Sequence, residues 1–206
     1  MSADQDEWKD RMRKLVYYVA TTLDGFIAGP DRGDPSGADY FRITPDLVQF
    51  MAANFPETLP APARAVLGID GPAVAFDTVV EGPSPYQLGL EAGMTNAYPH
   101  LRHIVFSRSM TTSPDPGVEV VNSDPADFVR DLKSQPGMDI WLVGGGKLAA
   151  VLLPEIDRLI LKQNPSIIGT GVPLFDGPFA PSLFRPVDTV DLDGGVRVVT
   201  YDRTLD

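Results

Sequence analysis

The chain has 206 residues, of which 43% are hydrophobic, and its formal net charge is -11 at pH 7. This charge argues against nucleic acid and anionic membrane surfaces as partners. No apolar run reaches the roughly 20 residues of a membrane span, and the charged start lacks the pattern of a signal peptide, so we expect a cytoplasmic protein. With no cysteine, and only His100 and His103 as histidines, we expect no disulfide and no metal site.

The first part of the chain predicts a central strand, a loop and a helix. Residues 15–20 form an apolar run without alternation, which is typical of a strand covered on both faces. Residues 21–37 are rich in Gly, Pro and Asp and predict a mobile surface loop. Thr44 and Pro45 precede apolar residues at helical spacing, so a helix should start there. Residues 56–75 indicate a packed connection.

The rest of the chain alternates strands with helices. Strands are predicted at residues 76–80, 102–107, 118–121, 140–143 and 158–162, and helices at 123–134 and 147–153. Residues 187–192 and 196–201 flank an Asp-Gly-Gly turn and predict a hairpin. The alternation favours a largely parallel, doubly wound sheet with an antiparallel edge. We expect a flexible segment over residues 1–13 and a single domain over residues 14–206.

The most informative local feature is the passage from the strand at 140–143 into Gly144-Gly145-Gly146-Lys147 and a helix. Glycines at this point let the backbone bend tightly and approach a ligand, while the helix start offers free amides to a phosphate. The alternative is a turn that needs glycine only for close packing of helix against sheet. Short glycine motifs alone do not separate these two interpretations.

Val143-Gly144-Gly145-Gly146 resembles the glycine run of dihydrofolate reductases and of the reductase domain of riboflavin biosynthesis. Residues 20–28, 98–108 and 164–175 are similar to further stretches of these proteins, in the same order and spacing. The resemblance implies a dihydrofolate-reductase-like α/β fold, a three-layer sandwich with a mostly parallel central sheet and a C-terminal antiparallel hairpin. It also implies an NADPH-dependent reductase of a small heterocyclic substrate, of the 5-amino-6-(5-phosphoribosylamino)uracil reductase type.

The resemblance assigns individual residues to the cofactor. Gly144 and Gly145 match a pair that family members join by a cis peptide bond beside the nicotinamide, and Ser107 and Arg108 match contacts to the adenosine 2′-phosphate. For Arg108 a solvated charge at a strand end is the alternative. The residues expected to bind NADPH are Ala20, Ile27, Ala28, Gly82, Ser84, Ser107, Arg108, Val143, Gly144, Gly145, Gly146, Lys147 and Leu148.

Two acidic residues are candidates for catalysis. Asp46 matches the acid near a helix start that dihydrofolate reductases use to support substrate protonation, but an aspartate there also complements the helix dipole. Asp24 could orient substrate, yet Leu-Asp-Gly is also an ordinary turn. For both residues the structural interpretation stays open beside the catalytic one.

One departure from the family pattern bears on function. Where relatives carry a Met-Gly-Arg-x-Thr-Tyr segment that holds cofactor phosphates, this chain has Glu81-Gly82-Pro83-Ser84-Pro85-Tyr86, so the arginine and threonine are missing and Glu81 adds a negative charge. The alternative to a reductase is therefore a non-catalytic or cofactor-impaired ligand-binding homodimer. In either case we expect a homodimer, because the predicted hairpin is rich in valine and related riboflavin-type reductases pair their protomers.

Overall fold

The computed structural model of the protein describes residues 12–36 and 39–204. The strands are β1 (Leu15–Thr21), β2 (Phe26–Ala28), β3 (Phe76–Glu81), β4 (Arg102–Phe106), β5 (Val118–Val121), β6 (Asp139–Gly144), β7 (Ile156–Gln163), β8 (Val172–Pro173), β9 (Phe184–Asp191) and β10 (Arg197–Arg203). The helices are α1 (Pro45–Asn54), α2 (Ala61–Leu67), α3 (Pro83–Glu91), α4 (Pro125–Lys133) and α5 (Gly146–Val151), with short 3-10 turns at Pro56–Thr58 and Leu153–Glu155.

Eight strands form one sheet in the order β5-β4-β3-β6-β1-β7-β10-β9. The first six are parallel, whereas β10 runs antiparallel to both β7 and β9. The α/β class, the mostly parallel sheet and the C-terminal hairpin predicted from the sequence are thus confirmed. Because the parallel strands share a direction, the carboxyl ends of β4, β3, β6, β1 and β7 lie along one edge, where ligands of open α/β sheets usually bind.

Helices cover both faces of the sheet and make the three layers. Alternate residues of each strand point to opposite faces. Tyr17 and Leu142 pack in the cluster formed with α4 and α5. Tyr18 and Trp141, their neighbours in sequence, pack with Phe55 on the opposite face, which α1 and α3 cover. The candidate site described below lies on this second face.

Several elements depart from the sequence-based predictions. The predicted loop at 21–37 contains β2, which pairs with β8, and the predicted connection at 56–75 contains α2. The sequence analysis did not predict α3, whose first turn holds Pro83 and Pro85. Prolines fit there because first-turn amides have no partner within the helix. Helix α4 begins after Asp124, whose carboxylate accepts hydrogen bonds from two first-turn amides.

The start of the packed domain also needs a correction. Residues 1–11 of the predicted flexible segment lie outside the described residues. Arg13 is buried, with 3% of its surface exposed, and its guanidinium bonds to Asp77, to Thr78 Oγ1 at 2.7 Å and to the Met138 carbonyl. Arg13 therefore belongs to the packed domain.

The valines of the hairpin are mostly covered within the chain. Val196, Val198 and Val199 on the β10 side are buried, while β9 is the exposed edge strand. The exposed apolar side chains in this region are instead Val187 and Leu183. No helix among the described residues is long and apolar enough to cross a membrane.

Candidate cofactor and substrate site

A cavity of about 500 Å³ opens at the carboxyl ends of β1, β3, β6 and β7. Its wall brings together nine of the thirteen residues predicted to bind cofactor, although they come from three separate parts of the sequence. These nine are Ile27, Ala28, Gly82, Ser84, Val143, Gly145, Gly146, Lys147 and Leu148. Ala20, Gly144, Ser107 and Arg108 lie outside the lining of this cavity.

The three consecutive glycines differ in whether, and why, the structure requires glycine at each position. Gly144 has φ +128°, which disfavours any other residue, and it is joined to Gly145 by the predicted cis peptide bond. A Cβ on Gly146 would lie 2.2 Å from the carbonyl oxygen of Pro173, so this glycine is required by packing. Gly145 has φ -80° and ψ -172°, and a Cβ there would meet no atom within 4 Å. Packing therefore explains Gly146 but not Gly145, for which the ligand interpretation stays a prediction.

Two of the segments that resemble the reductase family pack against each other beside this cavity. The carboxylate of Asp24 accepts hydrogen bonds from Thr22 Oγ1 at 2.6 Å and from the amides of Ile168 and Gly169 at 3.1 and 2.7 Å. A Cβ on Gly171 would lie 2.3 Å from the carbonyl oxygen of Ala28. These contacts fix the chain segment that carries Ile27 and Ala28 into the cavity wall.

Neither candidate catalytic aspartate lines the cavity. Asp46 Oδ2 accepts a hydrogen bond from the amide of Gly194 at 2.8 Å, which ties the start of α1 to the turn between β9 and β10. The nearby Thr44 hydroxyl and the hydrogen bond from the Gly194 amide lower the pKa of Asp46, and hydrogen bonds from Thr22 and the Gly169 amide lower that of Asp24. Both carboxylates are thus ionised at neutral pH and occupied by amides, and the geometry favours their structural interpretation over a proton-donating one.

Ser107 and Arg108 follow β4 at the same edge of the sheet, two strands from the glycine run. Ser107 Oγ accepts hydrogen bonds from the amides of Ser109 and Met110 and so shapes the turn. Arg108 is exposed. An extended ligand that reached from Gly145 across the end of β3 would arrive at this turn.

The expected repulsion from Glu81 is removed by a buried partner. Glu81 Oε1 lies 2.7 Å from His103 Nε2, and His103 Nδ1 lies 2.9 Å from Asn96 Oδ1. Since Asn96 Oδ1 also accepts the Tyr98 amide, it is an acceptor, and His103 Nδ1 must donate to it. Glu81 and His103 then share one proton between them and carry no net charge as a pair. Burial raises the pKa of Glu81, in keeping with this neutral pair.

The two prolines also reduce the number of amide donors at the start of α3. Pro83 and Pro85 have no amide hydrogen and the Gly82 amide donates to the Gly144 carbonyl, so Ser84 is the residue of this helix start that retains an amide donor. Free amides at this helix start can therefore replace the missing arginine and threonine only in part. Ser84 is exposed and faces the cavity, which leaves its hydroxyl available to a ligand.

Lys162 is a residue of the cavity that the sequence analysis missed. It lies near the end of β7, and its Nζ is 4.0 Å from the centroid of the Tyr18 ring. Burial lowers its pKa from 10.5 to about 8. The available signal was a lysine that closes the apolar strand pattern of residues 158–162, at the edge where the glycine run also ends.

Comparisons with known proteins agree with this geometry. Residues 13–197 match the model of the RibD C-terminal domain. The chain belongs to the RibD C-terminal domain family. It is 30% identical over 165 residues to the uncharacterized protein YwjB of Bacillus subtilis (strain 168). The aligned region covers 79% of this chain and 83% of YwjB.

Two solved structures support the fold of this family. One is the diaminohydroxyphosphoribosylaminopyrimidine deaminase/5-amino-6-(5-phosphoribosylamino)uracil reductase of Thermotoga maritima, with TM-score 0.61, 17% identity and coverage of 94% of this chain and 57% of that one. The other is dihydrofolate reductase of Enterococcus faecalis complexed with NADP(H) and RAB-propyl, with TM-score 0.63, 18% identity and coverage of 94% and 98%. The dihydrofolate-reductase-like fold is thereby confirmed.

Proposed function

We propose that the protein is an NADPH-dependent reductase of a small heterocyclic substrate, of the 5-amino-6-(5-phosphoribosylamino)uracil reductase type. The observation that carries the proposal is Gly145, where the cavity leaves open space that a Cβ would fill. The names of the solved relatives support the choice of cofactor and substrate class. When bound, the cofactor supplies the hydride.

The chain holds the cofactor phosphates by local contacts, as its negative net charge requires. The first-turn amides of α5 have no partners within the helix, and Lys147 is an exposed cation beside them on the cavity wall. Ser84 adds a hydroxyl from the neighbouring helix. Ser107 and Arg108 would meet the 2′-phosphate at the end of β4, which would give NADPH its advantage over NADH.

Apolar residues form the part of the cavity where the reacting rings would lie. Ile27 and Ala28 come from β2, and Val143 and Trp141 come from β6. These side chains exclude water from the reacting atoms and position two planar rings against each other, which is the protein's main contribution to hydride transfer.

One observation favours a second candidate, a cofactor-impaired ligand-binding homodimer. Pro83 and Pro85 replace the two side chains that relatives use for phosphate and also remove two amides from the same helix start. If this loss dominates, the cavity would bind a small ligand without a nicotinamide cofactor.

Titration with NADPH separates the two candidates. Trp141 lines the cavity with 4% of its surface exposed, so a bound reduced nicotinamide would quench its fluorescence. The Trp8→Phe variant isolates the Trp141 signal. We expect saturable quenching by NADPH, followed by NADPH oxidation when 5-amino-6-(5-phosphoribosylamino)uracil is added. No quenching and no shift in melting temperature at millimolar NADPH would favour the impaired homodimer.

A further inference from the structure

Lys162 is the half-buried cation of the cavity wall. Its ammonium packs on the ring of Tyr18 on the adjacent strand, whereas Arg32 and Lys147, which also line the cavity, are exposed. Among the described residues no carboxylate forms an ion pair with Lys162. Removing part of the water around an ammonium without supplying a counter-charge is unfavourable, and a ring face compensates for only part of the lost hydration.

The groups around Lys162 leave its charge uncompensated. Of the carboxylates that line the cavity, Glu81 is engaged by His103, Asp34 is exposed, and Asp176 forms no ion pair in the described part of the chain. Strand β10 places Val198 beside Lys162 in the sheet. Burial also raises the pKa of Tyr18, so the ring beneath the ammonium stays neutral.

We propose that Lys162 binds an anionic group, such as a carboxylate, attached directly to the ring of a planar heterocycle, so that the cavity selects such ring anions over neutral analogues. The ring itself should carry the anion because Lys162 is half-buried against the Tyr18 ring, whereas the other two cations of the cavity wall are exposed. A phosphate on a flexible chain would meet exposed Arg32 and Lys147 first. The choice of a heterocycle rests on the proposed function, but the site is tested by binding alone.

Orotate and 6-methyluracil are suitable probes because they share the uracil ring. Orotate carries a carboxylate where 6-methyluracil carries a methyl group. Calorimetric titrations compare wild type, Lys162→Met and the matched control Lys14→Met, whose lysine lies just before β1 and outside the lining of the cavity. Methionine is unbranched and apolar, so it fills the space of the lysine stem without its charge. We expect Lys162→Met to bind orotate at least about tenfold more weakly, as loss of one charge-assisted hydrogen bond requires. Lys14→Met should keep orotate affinity, and all three proteins should bind 6-methyluracil alike.

Proton linkage provides a readout that a merely structural lysine would not change. At pH 8.5 part of the Lys162 population is neutral, so orotate binding should take up protons in the wild type and none in Lys162→Met. Equal orotate affinity in wild type and Lys162→Met, or no orotate binding by wild type, would overturn the proposal. NADPH titration of the same variants is a separate test: orotate binding that depends on Lys162, together with no NADPH binding, supports this site and contradicts the proposed reductase.

Discussion

Replacement of Gly145 by alanine tests the cofactor cradle, because folding and binding should respond differently. The backbone at Gly145 has φ -80° and ψ -172°, a conformation open to any L-residue, and the added Cβ meets no protein atom within 4 Å. Loss of glycine freedom in the unfolded chain is worth about 0.4–1 kcal/mol in favour of folding. We therefore expect the free energy of unfolding of Gly145→Ala to stay within about 1 kcal/mol of wild type.

NADPH binding should fall much further. A Cβ in the space of the pyrophosphate displaces it by roughly 1 Å, which breaks one or two charge-assisted hydrogen bonds of about 1.5–3 kcal/mol each. The expected loss of affinity is at least about tenfold. Fluorescence titration measures the affinity, and urea unfolding measures the stability.

Two further glycines define the controls for this experiment. Gly71→Ala also adds a Cβ with no atom within 4 Å, but away from the cavity, and should change neither quantity. Gly146→Ala forces a Cβ to 2.2 Å from the Pro173 carbonyl oxygen and should lower stability and binding together. Unchanged NADPH affinity in a folded Gly145→Ala protein would refute the cradle.

Four other predictions address specificity, folding, pH dependence and assembly. Arg108→Ala should reduce the preference for NADPH over NADH about tenfold, measured by parallel titrations; equal losses for both cofactors would exclude a 2′-phosphate contact. Glu57→Ala should lower the free energy of unfolding by about 3 kcal/mol or more in urea, because the fully buried Glu57 carboxylate accepts three backbone amides at the start of β3; a change below 1 kcal/mol would contradict this. Burial lowers the pKa of Lys162 from 10.5 to about 8, so between these pH values Lys162 binds fewer protons in the folded chain than in the unfolded chain. As the pH rises through this range, the free energy of unfolding of wild type should therefore increase by up to about 3 kcal/mol relative to that of Lys162→Met. The same difference in free energy of unfolding between the two proteins at pH 7.5 and at pH 10.5 would contradict this. Light scattering over a dilution series should give a homodimer that covers the exposed edge near Val187 and Leu183, and a mass near 22.3 kDa at every concentration would exclude it.

The sequence predicted the elements whose signals are local. The apolar runs of β1 and β6 and the glycine run fixed the centre of the sheet and the place of the cavity. The short strand β2 could not be predicted because it exists only through its pairing with β8, far along the chain. Helix α3 was not predicted because Pro83 and Pro85 argue against a helix unless they lie in its first turn.

For the candidate site, too, the sequence could not predict features that depend on partners far along the chain. Gly145 and Gly146 look alike in sequence, and only the approach of Pro173 separates a glycine required by packing from one that borders open space in the cavity. The partner of Asp46 is the Gly194 amide, 148 residues away in sequence. Glu81 could be recognised as part of a neutral pair only once His103 was placed on the adjacent strand.

Transfer of a labelled hydride tests the proposed reductase most directly. The protein is incubated with 5-amino-6-(5-phosphoribosylamino)uracil and NADPH that carries deuterium at one or the other face of C4, and the product is analysed by mass spectrometry. One of the two labelled cofactors should yield a product that retains the deuterium, while the other yields unlabelled product, because the cavity positions one nicotinamide face against the substrate. Recovery of unreacted substrate and unoxidised NADPH with both cofactors would contradict the proposed reductase.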